Sequence, residues 1–187
     1  MALALALVFV GATFARADEP VTGPVPPEPS GYRMEGYRSP TPATLAGATV
    51  LDTPGAEALW RGGTAVFVDV MPRPVRPPNL PAGTIWKDAP RRHLPGSVWL
   101  LNVGYGALPP EMEAFFRDSL VRLTGGDLKK PLAFYCRQAC WMSWNAAKRA
   151  MALGYSAVHW YPDGTDGWEA AALPTEPAQP YALDAGR

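Results

Sequence analysis

Thiols and imidazoles are scarce in this chain, which holds two cysteines and two histidines among 187 residues. So few soft ligands, at no recognised spacing, argue against a structural zinc site. Two cysteines are also too few for a disulfide-built scaffold. Charge of either sign is missing in excess: the formal net charge is zero, and no basic run stands out. Nucleic acid and anionic membrane are therefore poor partners on electrostatic grounds. Beyond the first residues no apolar run is long enough to cross a bilayer. What remains is a chain that is 48% apolar or aromatic, enough for a sizeable core in one domain.

The N-terminal residues 1–17 read as a signal peptide. Ala2–Val10 is an apolar run, and Ala15-Arg16-Ala17 is a small-x-small cleavage site before Asp18. No Lys or Arg precedes the run, and an N-terminal helix packed into the domain is the competing assignment. Export would place the mature protein in the periplasm, with no membrane span. That compartment permits a disulfide.

Residues 18–44 form a proline-rich linker and an arm. Asp18–Ser30 reads as extended, and Gly31–Pro42, with Tyr32 and Tyr37, as an irregular arm on the domain. Residues 45–173 carry the alternating pattern of an α/β domain. Strands are expected at Ala48–Leu51, Thr64–Val70, Ser97–Leu101, Pro131–Tyr135 and Ala157–Tyr161. Helices are expected from Thr53 as cap to about Trp60, from Pro109-Pro110 to Gly125-Gly126, and from about Ser143 to Leu153. Lys148 and Arg149 stand near the end of the last. Met71–Arg92, with six prolines, is a long loop. Residues 174–187 read as a loose, proline-rich tail. Strands separated by helices imply a mostly parallel central sheet of about five strands with helices on both faces. Ligands of such sheets bind outside the carboxyl ends of the strands, where Asp69 and Cys136 fall.

Cys136 leaves a buried strand and enters a short loop that feeds a helix. Inward-turned loop amides and the helix N-terminus would form an anion cradle, Arg137, Gln138, Ala139, Trp141, Met142 and Ser143, that favours thiolate over thiol. The thiolate is the nucleophile. Cys140 lies four residues on; a bridge that short closes almost no loop and adds little chain-entropy stabilisation. A redox or nucleophilic role is thereby left open.

The segment from about Leu45 to Leu173 resembles a rhodanese domain. The resemblance is carried by Val66-Phe67-Val68-Asp69-Val70, by His93-Leu94-Pro95-Gly96-Ser97, and by Tyr135-Cys136 through Gly154-Tyr155 and Trp168. Cys136-x-x-x-Cys140-Trp141 through Ala150, with Gly31-Tyr32-Arg33 and Tyr37-Arg38, is similar to the CXXCW-motif proteins associated with PQQ-dependent alcohol catabolism. That name implies one residue fewer between the cysteines. The resemblance implies a sulfurtransferase or persulfide carrier with Cys136 as nucleophile. It implies a small sulfur-containing anion or a thiol as reaction partner, and a PQQ dehydrogenase or cytochrome as protein partner. No cofactor is implied. Met142 stands where the family's loop ends in arginine, so phosphate has no bidentate ligand there.

Cys140 opens two mechanisms: a persulfide on Cys136 passed to an acceptor thiol, or attack by Cys140 that leaves a disulfide. A non-catalytic module that binds a quinoprotein dehydrogenase or cytochrome is the third reading. Asp69 and His93 are expected in supporting roles. Trp141, Trp144, Trp160 and Trp168 are candidates for an apolar lining or for the core.

Overall fold

The computed structural model describes residues 21–74, 76, 78–87 and 90–183. The expected signal peptide, 1–17, lies outside the described residues. The main sheet is built from β1 (Thr49–Val50), β2 (Val66–Asp69), β4 (Val98–Trp99), β5 (Leu132–Tyr135) and β6 (Val158–Tyr161). All neighbours run parallel in the order β1-β6-β5-β2-β4. The helices are α1 (Thr53–Arg61), α2 (Pro110–Thr124), α3 (Trp141–Ala152) and α4 (Gly164–Ala170). Among the described residues no helix is long and apolar enough to cross a membrane.

The two-residue period of the strands sorts the core into two layers. Val66, Val68, Leu132, Phe134, Val158 and Trp160 pack with α2 and α3 through Phe116, Leu120, Trp144 and Ala147. Phe67, Ala133, Tyr135 and Tyr161 face the other way, onto Ala56 and Leu59 of α1 and Trp168 of α4. Every residue of β5 is buried, which is why it reads as a continuous apolar run rather than an alternating one. Asp69 pairs in register with Tyr135, and Tyr135 with Tyr161. The strands therefore end level, and Cys136 is the first residue beyond that rim.

Three local expectations are corrected. The cap of α1 is Asp52, not Thr53: its carboxylate accepts from the Gly55 N–H at 2.8 Å, and Thr53 Oγ1 instead meets the Tyr161 hydroxyl at 2.9 Å. Helix α3 starts at Trp141, two residues before Ser143, because the Ser143 hydroxyl bonds back to the Cys140 carbonyl within the first turn. Arg149, near the end of that helix, is buried and donates to the carbonyls of Val103, Tyr105 and Gly106 at 2.9–3.1 Å. The C-terminal stretch is not loose over its described part. Residues Glu176–Pro177 form β7, antiparallel to β3 (Arg92–His93), and the Tyr181 N–H donates to the Trp99 carbonyl at 2.9 Å. Backbone groups exposed on two edges are satisfied by pairing with each other.

The arm does pack on the domain, and α3 holds it. Asn145 bonds the Arg33 N–H and carbonyl at 2.9 Å and the Gly104 carbonyl at 2.9 Å. Gly104 lies directly on the helix start: a Cβ there would stand 2.6 Å from both the Cβ and the carbonyl oxygen of Met142. We expect Gly104→Ala to lower stability by about 1–3 kcal/mol through overpacking, read as a shift of the urea midpoint without a change of slope.

Candidate active site around Cys136

The site is built where β5 gives way to α3. Cys136 follows the last strand residue, Arg137–Ala139 make the turn, and Cys140 caps α3. Ala139 takes a left-handed conformation, φ 51°, which lets so short a loop reverse direction. Cys136 and Cys140 are joined as a disulfide, with Cα atoms 6.5 Å apart. Cys136 is 0% exposed and Cys140 6%.

The Cys136 carbonyl is a node. It accepts from the Thr165 N–H at 3.2 Å, the Thr165 hydroxyl at 3.3 Å and the Arg91 guanidinium at 3.1 Å. Gly164, at φ 52°, brings its Cα so close that a Cβ would stand 2.7 Å from the same oxygen, so glycine is required there. Arg91 also grips Asp69 with both ends of its fork, at 2.8 and 3.2 Å. Asp69 is wholly buried and accepts the Met71 N–H as well, at 2.9 Å. Burial pushes the Asp69 carboxyl up, and the Arg91 charge opposes it. Arg91 is a site residue that the sequence reading did not single out. The signal was present but ambiguous: a buried strand-end carboxylate demands a cation, and the long loop offers several arginines.

Asp69 and His93 are both brought to the site, with His93 Nδ1 4.0 Å from Asp69 Oδ2 and Nε2 3.6 Å from Glu176 Oε1. Arg137 pairs with Asp166 at 3.6 Å. The carbonyls of Gln138 and Ala139 accept from the guanidinium of Arg38, on the arm. Trp141, Met142 and Ser143, expected in the anion-cradle loop, lie in the first turn of α3. The Trp141 N–H donates to the Tyr37 carbonyl at 2.9 Å, and its indole N–H to Ser39 Oγ and the Pro40 carbonyl, each at 3.0 Å. Groups assigned to an anion are thus partly taken by the arm. The four tryptophans are core residues: Trp141, Trp144, Trp160 and Trp168 are at most 1% exposed. The Cys136 sulfur instead touches Met71, Sγ to Sδ 3.7 Å.

The rhodanese-like domain family profile matches residues 56–171. The chain belongs to the rhodanese-like domain family. No curated protein sequence matches it. Among solved structures, the human single-domain sulfurtransferase TSTD1 is 22% identical, with a TM-score of 0.41 over 66% of this chain and 96% of that one. A thiosulfate sulfurtransferase from Pseudomonas aeruginosa is 15% identical, with a TM-score of 0.46 over 73% of this chain but only 22% of that one. A protein of unknown function from Rhodopseudomonas palustris, described as a possible tyrosine phosphatase, is 24% identical, with a TM-score of 0.46 over 69% and 85% of the two chains. In this rhodanese-like domain the strand-end aspartate, the His93 turn and the cysteine loop meet at one end of the sheet.

Two outcomes follow from this geometry. Arg91→Met leaves Asp69 buried without its cation and should cost about 3–5 kcal/mol, with Arg91→Lys restoring only part because lysine lacks the planar fork; chemical denaturation reads both. Burial also lowers the basicity of His93, against the raising pull of Asp69 and Glu176, and burial lowers His159 likewise. The fold then resists a proton that the unfolded chain accepts below about pH 6.5. Stability should be full above that pH and decline below it, and His93→Gln should make the decline shallower without abolishing it, as followed by denaturation midpoints across pH.

Proposed function

We propose that this rhodanese-like protein performs sulfur transfer through a persulfide on Cys136, and that Cys140 resolves the persulfide. The observation that carries the reading is the placement of both sulfurs within bonding distance at the head of the strand–loop–helix. An ordinary carrier needs one thiol. A second thiol in reach of the first adds a way to discharge it.

The steps balance as follows. The Cys136 thiolate attacks the sulfane sulfur of a donor; the donor's sulfur–sulfur bond breaks and the leaving group keeps the bonding pair, as sulfite does when thiosulfate is the donor. Cys136 then carries a persulfide. The Cys140 thiolate attacks Cys136 Sγ and expels hydrosulfide, and the Cys136–Cys140 disulfide remains. An external dithiol reduces that disulfide and restores the pair. When a small thiol reaches the persulfide before Cys140 does, the outer sulfur passes to it and no disulfide forms.

A second reading, thiol–disulfide exchange without sulfur uptake, is favoured by the complete burial of Cys136, which leaves Cys140 the more accessible sulfur. The apolar Ala2–Val10 run and the Ala15-Arg16-Ala17 cleavage site support export to the periplasm, and the similarity of the Cys136–Ala150 segment and the arm to CXXCW-motif proteins supports work beside a PQQ dehydrogenase or its cytochrome.

Intact mass of the reduced chain after thiosulfate separates the readings. We expect Cys140→Ser to gain one sulfur that a reductant removes, Cys136→Ser to gain none, and the unsubstituted chain to release sulfide and end two hydrogens lighter. Failure of Cys140→Ser to hold sulfur, with the unsubstituted pair still exchanging with dithiols, would replace sulfur transfer by disulfide exchange.

A further inference from the structure

Cys136 is fully buried, so a donor needs a way in. Phe134 and Trp144 belong to the core cluster that contains Cys136, and the arm residues 37–40 bond across the loop and Trp141. The Met71 thioether lies against the sulfur, Sγ to Sδ 3.7 Å. Met71 also lines a cleft of about 300 Å³ together with Arg91, Arg92, Arg137, Asp166 and Glu169. A second, more apolar hollow of about 180 Å³ also borders Met71, together with Pro72, Pro74, Pro90, Arg91 and Trp99. Methionine is unbranched with three rotatable bonds, and the hollow has room for its end to swing into. Its backbone stays fixed, because the Met71 N–H is held by Asp69 and its carbonyl by the Trp99 indole.

The charges around the cleft are mixed. Arg91 is already matched by Asp69. Arg137 stands 3.6 Å from Asp166, and the remaining rim charges are Arg92 and Glu169. An inorganic dianion entering here gains from the guanidinium groups and loses against the carboxylates. A donor with an ammonium and a carboxylate offers each rim charge its opposite.

Resting on the proposed persulfide chemistry at Cys136, we infer that this cleft is the donor's entry, that Met71 is its gate, and that the rim selects a zwitterionic amino-acid hydropersulfide over an anionic donor. In the loading step the Cys136 thiolate attacks the terminal sulfur of the hydropersulfide. The donor's sulfur–sulfur bond breaks, and the amino-acid thiolate leaves with the electron pair. The proton stays on the transferred sulfur.

The test uses the reduced full chain carrying Cys140→Ser, so that sulfur stays on Cys136, with loading rate read by intact mass. Cysteine hydropersulfide is compared with N-acetylcysteine hydropersulfide, whose ammonium is replaced by a neutral acetamide, and with thiosulfate. We expect the zwitterion to load faster than its N-acetyl counterpart by roughly fivefold, the scale of a half-exposed ion pair. Adding Asp166→Asn and Glu169→Gln should remove that preference and quicken thiosulfate. Met71→Ala should quicken all three donors. Equal rates for the two hydropersulfides in the parent, or a preference untouched by the rim substitutions, would overturn the charge selection while leaving persulfide chemistry standing. No acceleration by Met71→Ala would overturn the gate. No loading by any donor would overturn both this inference and the sulfur-transfer reading.

Discussion

The fork of Arg91 is the interaction on which the site depends. One guanidinium joins the end of β2, through Asp69, to the first residue beyond β5, through the Cys136 carbonyl. A carboxylate as deeply buried as Asp69 is costly to desolvate, and it is tolerable only when paired and hydrogen-bonded. Here the pairing does more than cancel a charge. It fastens two strand ends together and fixes the peptide that carries the Cys136 sulfur. Thr165, from α4, completes the same node, so the two helix layers are tied together at the cysteine.

A second constraint comes from the arm. Helix α3 carries Cys140 at its cap, and its polar residues Asn145 and Arg149 are spent on backbone carbonyls of the arm and of residues 103–106. Arg149 also stacks on Tyr32 at 4.6 Å, and Arg33 on Trp141 at 5.1 Å. Polar side chains on a buried helix face must find partners, and the arm supplies them. The residues that follow the cysteines are thus a scaffold for the arm that lies over the loop.

Much of this was legible in the residues. The continuous apolar runs ending in Asp69 and Tyr135 announce buried parallel strands, because only a strand covered on both faces lacks alternation. Cys136 stands out because a thiol at a strand end, ahead of a helix, is in the place where such sheets do chemistry. Other features were hidden. Arg91 and Met71 lie in an aperiodic, proline-rich loop, where spacing carries no signal. Helix α3 starts two residues before Ser143, whose hydroxyl bonds back to the Cys140 carbonyl within the first turn, a contact with no signal in residue type. The tail from Pro174 looked loose because its composition says nothing of the β3 edge that waits for it.

The sequence by itself determined the family, the order of the five strands of the main sheet and of the first three helices, and the cysteine at the head of the loop. These follow from local rules: side-chain periodicity, turn residues and the sterics of strand-to-helix connections. Tertiary structure alone decided which arginine neutralises Asp69, that the arm closes over the cysteine loop, and that a methionine shields Cys136 beside a cleft of mixed charge. Those are contacts between residues far apart in the chain. They are chosen by the need to pair every buried charge and backbone group, and that need has no period in the sequence.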